Sequence, residues 1–114
     1  MPGQDRRQYQ RISLITKVTH LRGDFFHYYY SRDLSQGGIF LETREPFPAD
    51  TPVMLEFPLP GIAHRVTCQG QVVRVVKPVE NEPALVPGMG IQFTEIDDDT
   101  KRMLAEFIAN MIAR

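Results

Sequence analysis

The chain has 114 residues, 42% of them hydrophobic, with 13 basic and 14 acidic side chains and a formal net charge of −1. That length makes one domain, spanning 1–114, with a modest core. The near balance of charge excludes a global field that would draw the protein to DNA or to an acidic membrane.

Residues 1–11 are polar and are predicted to be mobile until something orders them. Ile12 to Leu21 alternates as a strand, with Ile12, Leu14, Thr16 and Val18 on one side. Arg22-Gly23-Asp24 is a turn, and the aromatic-rich run Phe25 to Leu34 is the returning strand. Ser35-Gln36-Gly37-Gly38 breaks it, where two adjacent glycines permit positive φ and close approach of a partner. Ile39 to Thr43 is a short third strand. Arg44 to Pro52 is a proline-marked loop, and Val53 to Leu59 a fourth strand ended by Pro60-Gly61. Ile62 to Val76 is too long for one flat strand, so Gly70 is predicted to mark a bulge or bend. Residues 77–87 form a polar loop before a last strand, Gly88 to Phe93.

Then the period changes. Met103, Leu104, Phe107, Ile108, Met111 and Ile112 recur at helical spacing. Asp97 is the candidate N-cap, Asp98 and Asp99 complement the helix dipole, and Arg114 stands at the other end. The expected architecture is mainly β: a small antiparallel barrel over 12–93 and an α-helix over 98–113. The apolar stripe is free to face the barrel or a second chain, which leaves a homodimer open.

Cys68 stands alone, so an intrachain disulfide and a cysteine-rich metal site are excluded. It is expected to be a small core residue. No apolar run approaches the ~20 residues that span a bilayer, and the start of the chain has no apolar signal stretch. A soluble, cytoplasmic protein is expected. His20, His27 and His64 lack metal-ligand spacing. No nucleophile–base constellation is visible, so neither a cofactor nor an enzymatic activity is expected.

Two polar motifs remain. Arg6, Arg7 and Arg11 crowd the N-terminal end, where residues 1–32 carry six basic side chains (Arg6, Arg7, Arg11, Lys17, Arg22, Arg32) against two acidic ones (Asp5, Asp24). A guanidinium binds phosphate bidentately and stacks on bases, although a solvated terminus has the same composition. Asp33-Leu34-Ser35-Gln36-Gly37-Gly38 offers a carboxylate whose two acceptors match the N1–H and N2–H₂ edge of guanine. It also offers a hydroxyl for phosphate, and backbone N–H groups at Gly37 and Gly38. A structural turn is the competing reading. Phe25, Phe26, Tyr28, Tyr29 and Tyr30 suit half core and half surface better than a base-stacking platform, and near-zero net charge argues against nucleic acid.

The order and separation of these motifs resemble the PilZ domain, a bacterial receptor module for cyclic di-GMP with signatures RxxxR and [D/N]xSxxG. Arg7 and Arg11 match the first signature; Asp33, Ser35 and Gly38 match the second. Gly70-Gln71-Val72-Val73-Arg74 and Gly88-Met89-Gly90-Ile91-Gln92-Phe93 are similar to the family's later strands. The resemblance implies a six-stranded antiparallel barrel with a C-terminal helix. It implies that Arg7 and Arg11 grip cyclic di-GMP as the N-terminal segment closes, that Asp33 and Ser35 hold guanine and phosphate, and that Gly38 keeps the turn open. Arg6 is implied in binding a stacked ligand dimer. A partner protein would read the closed state in a motility, exopolysaccharide or developmental pathway; the alternative is an adaptor that works without nucleotide.

Overall fold

A computed structural model describes residues 9–113; residues 1–8, with Arg6 and Arg7, and Arg114 lie outside it. The strands are β1 (Ile12–Ser13), β2 (Lys17–Arg22), β3 (Phe25–Leu34), β4 (Gly38–Glu42), β5 (Pro52–Phe57), β6 (Val66–Val76) and β7 (Gly88–Glu95), followed by helix α1 (Asp98–Ile112). Every pairing is antiparallel. The ring runs β3–β2–β5–β6–β7–β4 and closes where β4 returns to β3. The expected six-stranded barrel is therefore present, with β1 as a short strand outside the ring.

The expected single strand from Ile12 to Leu21 is interrupted at residues 14–16. β1 and β2 lie on the same edge of β3, but their registers differ by one residue: Ser13 faces Asp33 and Lys17 faces Tyr30. The surplus residue is accommodated by a side chain. Buried Ser31 donates its Oγ hydrogen to the Leu14 carbonyl at 2.6 Å and accepts from the Thr16 N–H at 3.0 Å. A second register shift lies between Ser31 and Asp33 on the β4 side. The chain thus bends just before Asp33, as bulges commonly do where a side chain must be re-aimed.

Alternation fills the barrel. Val18, Leu34, Ile39, Leu41, Leu55, Phe57, Val66, Val72, Met89 and Ile91 are buried in one cluster with Cys68. Each large side chain contributes roughly 1.5–3 kcal/mol on burial. β6 shifts register between Gln69 and Gly70, as expected from its length, and again between Val72 and Arg74. Burial pushes the Cys68 thiol up to about 12, consistent with an inert core residue.

Helix α1 faces the barrel. Leu104, Phe107 and Ile108 belong to the core cluster, with Met103 and Met111 partly buried against it. Asp97 is the N-cap, its carboxylate accepting from the Thr100 N–H at 2.7 Å. A helix of 15 residues is marginal alone in water, so its buried face supplies the stability. It packs beside β1, whose Ile12 is partly buried against the same core.

Candidate nucleotide-binding site

The two motifs meet at the end of β3. Asp33 is paired with Ser13 of β1 on one edge and with Phe40 of β4 on the other. Arg11, just before β1, reaches across both. Its Nε donates to Asp33 Oδ1 at 2.9 Å, and its NH1 donates to Ser35 Oγ at 3.1 Å. Both partners of the ion pair remain about one-third exposed (30% and 36%). A pair so exposed stabilises by about 0–1 kcal/mol, so its importance is positional.

Ser35 organises the turn. It is 2% exposed, and its Oγ accepts from the N–H groups of Gly37 and Gly38 at 3.1 and 3.2 Å as well as from Arg11. The Ser35 N–H in turn donates to the Gly38 carbonyl at 2.9 Å. One hydroxyl therefore anchors two backbone donors and one cation. Both glycine N–H groups face inward onto Ser35 rather than outward.

The two glycines have different reasons to be glycine, and neither has positive φ. Gly38 is buried where β4 meets β7, opposite Gln92. A Cβ there would collide with the Ile91 carbonyl oxygen. Its absence closes the barrel seam rather than opening the turn. Gly37 lies beneath the ring of Tyr9, and a Cβ would come within 2.8 Å of Tyr9 Cδ2. The Gly37 carbonyl accepts from the Phe93 N–H at 2.9 Å, which ties the turn to β7.

Of the expected site residues, Arg11, Asp33, Ser35, Gly37 and Gly38 form one cluster, and Arg6 and Arg7 lie outside the described residues. Tyr9 was missed. Its only sequence signal was an aromatic ring between the two signature arginines. Close by, the Arg74 guanidinium stands 5.8 Å from the centroid of the Phe40 ring, a cation–π contact beside Gly90. Two concavities of about 470 and 320 Å³ lie elsewhere, around Phe47. Among the described residues no cluster of metal-ligating side chains is present, and no helix is long and apolar enough to cross a membrane.

A family model described as the PilZ domain matches residues 5–110, nearly the whole chain. The chain belongs to the PilZ family. Solved structures agree on the fold of this PilZ domain. The Bacillus subtilis inhibitor of motility, MotI/DgrA, superposes with a TM-score of 0.77 at 20% identity over 95% of this chain. The chain spans about half of that structure (52%). The PilZ domain of Escherichia coli YcgR, solved with c-di-GMP, gives a TM-score of 0.70 at 20% identity, covering 95% of this chain and 92% of that one. The PilZ domain of CeSA from a cellulose-synthesizing bacterium gives 0.60 at 18% identity, covering 92% and 99%. No curated protein matches the sequence at a significant level.

Proposed function

We propose that this PilZ domain binds cyclic di-GMP and acts as a non-enzymatic receptor whose ligand-bound surface is read by a partner protein. The observation that carries the reading is the convergence of Arg11 on Asp33 and Ser35, residues 22 and 24 positions away. Family membership and the c-di-GMP complex of YcgR supply the ligand.

The chemistry suits a guanine dinucleotide. Asp33 uses Oδ1 for Arg11, and its second carboxylate oxygen takes no bond from the described residues. A guanine edge brings two donors, which match a carboxylate's two acceptors. Arg11, already fixed by Asp33 and Ser35, would present the face of its guanidinium for stacking or its remaining N–H groups to phosphate. Ser35 acts by holding Arg11 and the turn. Arg7 would close over the ligand from the N-terminal side, and Arg6 would join where two ligands stack. Fixing that segment offsets part of the contact energy.

Calorimetric titration with cyclic di-GMP at near-physiological salt tests the reading. Folded protein that shows no heat at tens of micromolar ligand overturns it. Arg7→Ala, Arg11→Ala and Asp33→Ala each remove a charged hydrogen-bonding group worth roughly 1.5–3 kcal/mol, or about 10- to 150-fold in affinity. Unchanged affinity in all three variants rejects the site, and the stoichiometry tests the role of Arg6.

A further inference from the structure

The β2–β3 hairpin reaches beyond the barrel wall. β2 bonds to β5 only at Thr19 and His20, and β3 bonds to β4 only from Tyr30 onward. Residues 21–29 therefore form a two-stranded ribbon. Its inner face is covered at His20 and Tyr29 by Phe47, with ring centroids 5.4 and 6.4 Å away. Among the described residues nothing covers its outer face. There the cross-strand pairs Leu21–Phe26, Thr19–Tyr28 and Lys17–Tyr30 stand in a row. The Phe26 and Tyr28 rings meet edge-on at 5.4 Å, and Lys17 Nζ sits 3.9 Å above the Tyr28 ring.

A two-stranded ribbon is marginally stable by itself in water, and an uncovered aromatic row on it is an unusual surface. Leu21 is 39% exposed, Phe26 55%, Tyr28 51% and Tyr30 56%, with Met54 of β5 beside them at 37%. At roughly 200 Å² per aromatic side chain, this face leaves about 400–500 Å² open on one copy. Two such faces closing on each other would bury close to the ~1,000 Å² that a specific interface must clear.

The charges along the ribbon select the occupant. On this outer face Lys17 and Arg32 are opposed by Asp24 and Glu42, and Arg32 already pairs with Glu42 at 3.3 Å; Arg22 lies on the inner side with His20 and Phe47. A surface so nearly neutral lacks the basic excess that anionic lipid or single-stranded nucleic acid requires. It is, however, self-complementary. Asp24 is at the tip and Lys17 at the base. An antiparallel two-fold contact brings the tip of one ribbon to the base of the other.

We infer that the outer face of the β2–β3 ribbon is a self-association surface, on which a second copy of this chain packs antiparallel about a two-fold axis between Thr19 and Leu21. The inference is independent of nucleotide binding.

Sedimentation equilibrium of the full chain without nucleotide tests it. The expected result is a dimer at tens of micromolar. The Tyr28→Ser/Tyr30→Ser variant, altered only at exposed rings, is expected to be monomeric with an unchanged circular dichroism spectrum. Thr19→Cys places a thiol near the axis, and buried Cys68 stays silent. A short bis-maleimide should join two Thr19→Cys chains and leave Arg102→Cys chains, altered on the exposed helix face, unjoined. A wild type that stays monomeric at hundreds of micromolar, whether or not it binds anionic vesicles or an oligonucleotide, overturns the inference. So does a dimer that persists in the double serine variant.

Discussion

The ring of Tyr9 lies on Gly37, leaving no room for a Cβ between them. Tyr9 stands two residues before Arg11, so this contact holds the approach to Arg11 against the turn that carries Ser35. Gly37→Ala would displace the exposed ring of Tyr9, which can swing aside. The expected outcome is a melting temperature within a few degrees of wild type and a weakened affinity for cyclic di-GMP. Tyr9→Ala should give the same phenotype, and Tyr9→Phe should restore binding. Titration calorimetry paired with thermal melting separates the two effects.

Gly38→Ala should behave in the opposite way. The obstruction is the Ile91 backbone carbonyl in the neighbouring strand, which moves only if the β4–β7 seam opens. Overpacking of this kind costs about 1–3 kcal/mol, and the loss should appear in chemical denaturation without any ligand. A Gly38→Ala variant as stable as wild type would show that the seam yields easily.

Ser35→Ala strands three donors: the Gly37 and Gly38 N–H groups and Arg11 NH1. The two backbone donors sit in a largely buried turn, so the expected destabilisation is about 1–3 kcal/mol. Ser35→Thr keeps the hydroxyl and discriminates loss of the acceptor from loss of fit. Denaturant midpoints for the three proteins measure this directly.

His20 predicts an acid-sensitive fold. It is buried, its Nδ1 has no hydrogen-bond partner among the described residues, and burial, then the charges of His27 and Arg22, hold its pKa below the ordinary 6.5. The unfolded chain therefore takes up this proton more readily than the folded one. Stability is full above about 6.5 and falls as pH drops toward the folded pKa, at about 1.4 kcal/mol per pH unit for one proton. His20→Phe keeps a ring against Phe47 and removes the titration. Melting temperatures from pH 7.5 down to 5.5 should fall less steeply in His20→Phe than in wild type.

Much of this was legible in the sequence because it is local. The apolar alternation of β5, the bend at Gly70, the Asp97 cap and the helical stripe each follow from residues a few positions apart. What escaped is set by distant partners. The break at residues 14–16 depends on a hydroxyl from Ser31, 15 to 17 residues further on. Gly38 depends on how near β7 comes, and Tyr9 on a turn 28 residues away. The site motifs were found as residue types; that Gly37 and Gly38 direct their N–H groups onto Ser35 needed the fold.

The Arg11–Asp33 pair has a consequence for how an anion arrives. Two opposite charges 2.9 Å apart look to a distant phosphate like a small dipole rather than a cation, and a dipole's field fades within a few ångströms. Capture at this spot is therefore short-range and orientation-dependent. On the proposed reading, long-range attraction falls to cations outside this pair: Arg74 over Phe40 and the motif residues Arg6 and Arg7. The arrival rate of cyclic di-GMP should then fall with ionic strength, while its departure rate, which the proposed site assigns to contacts at Arg11 and Asp33, should hardly change.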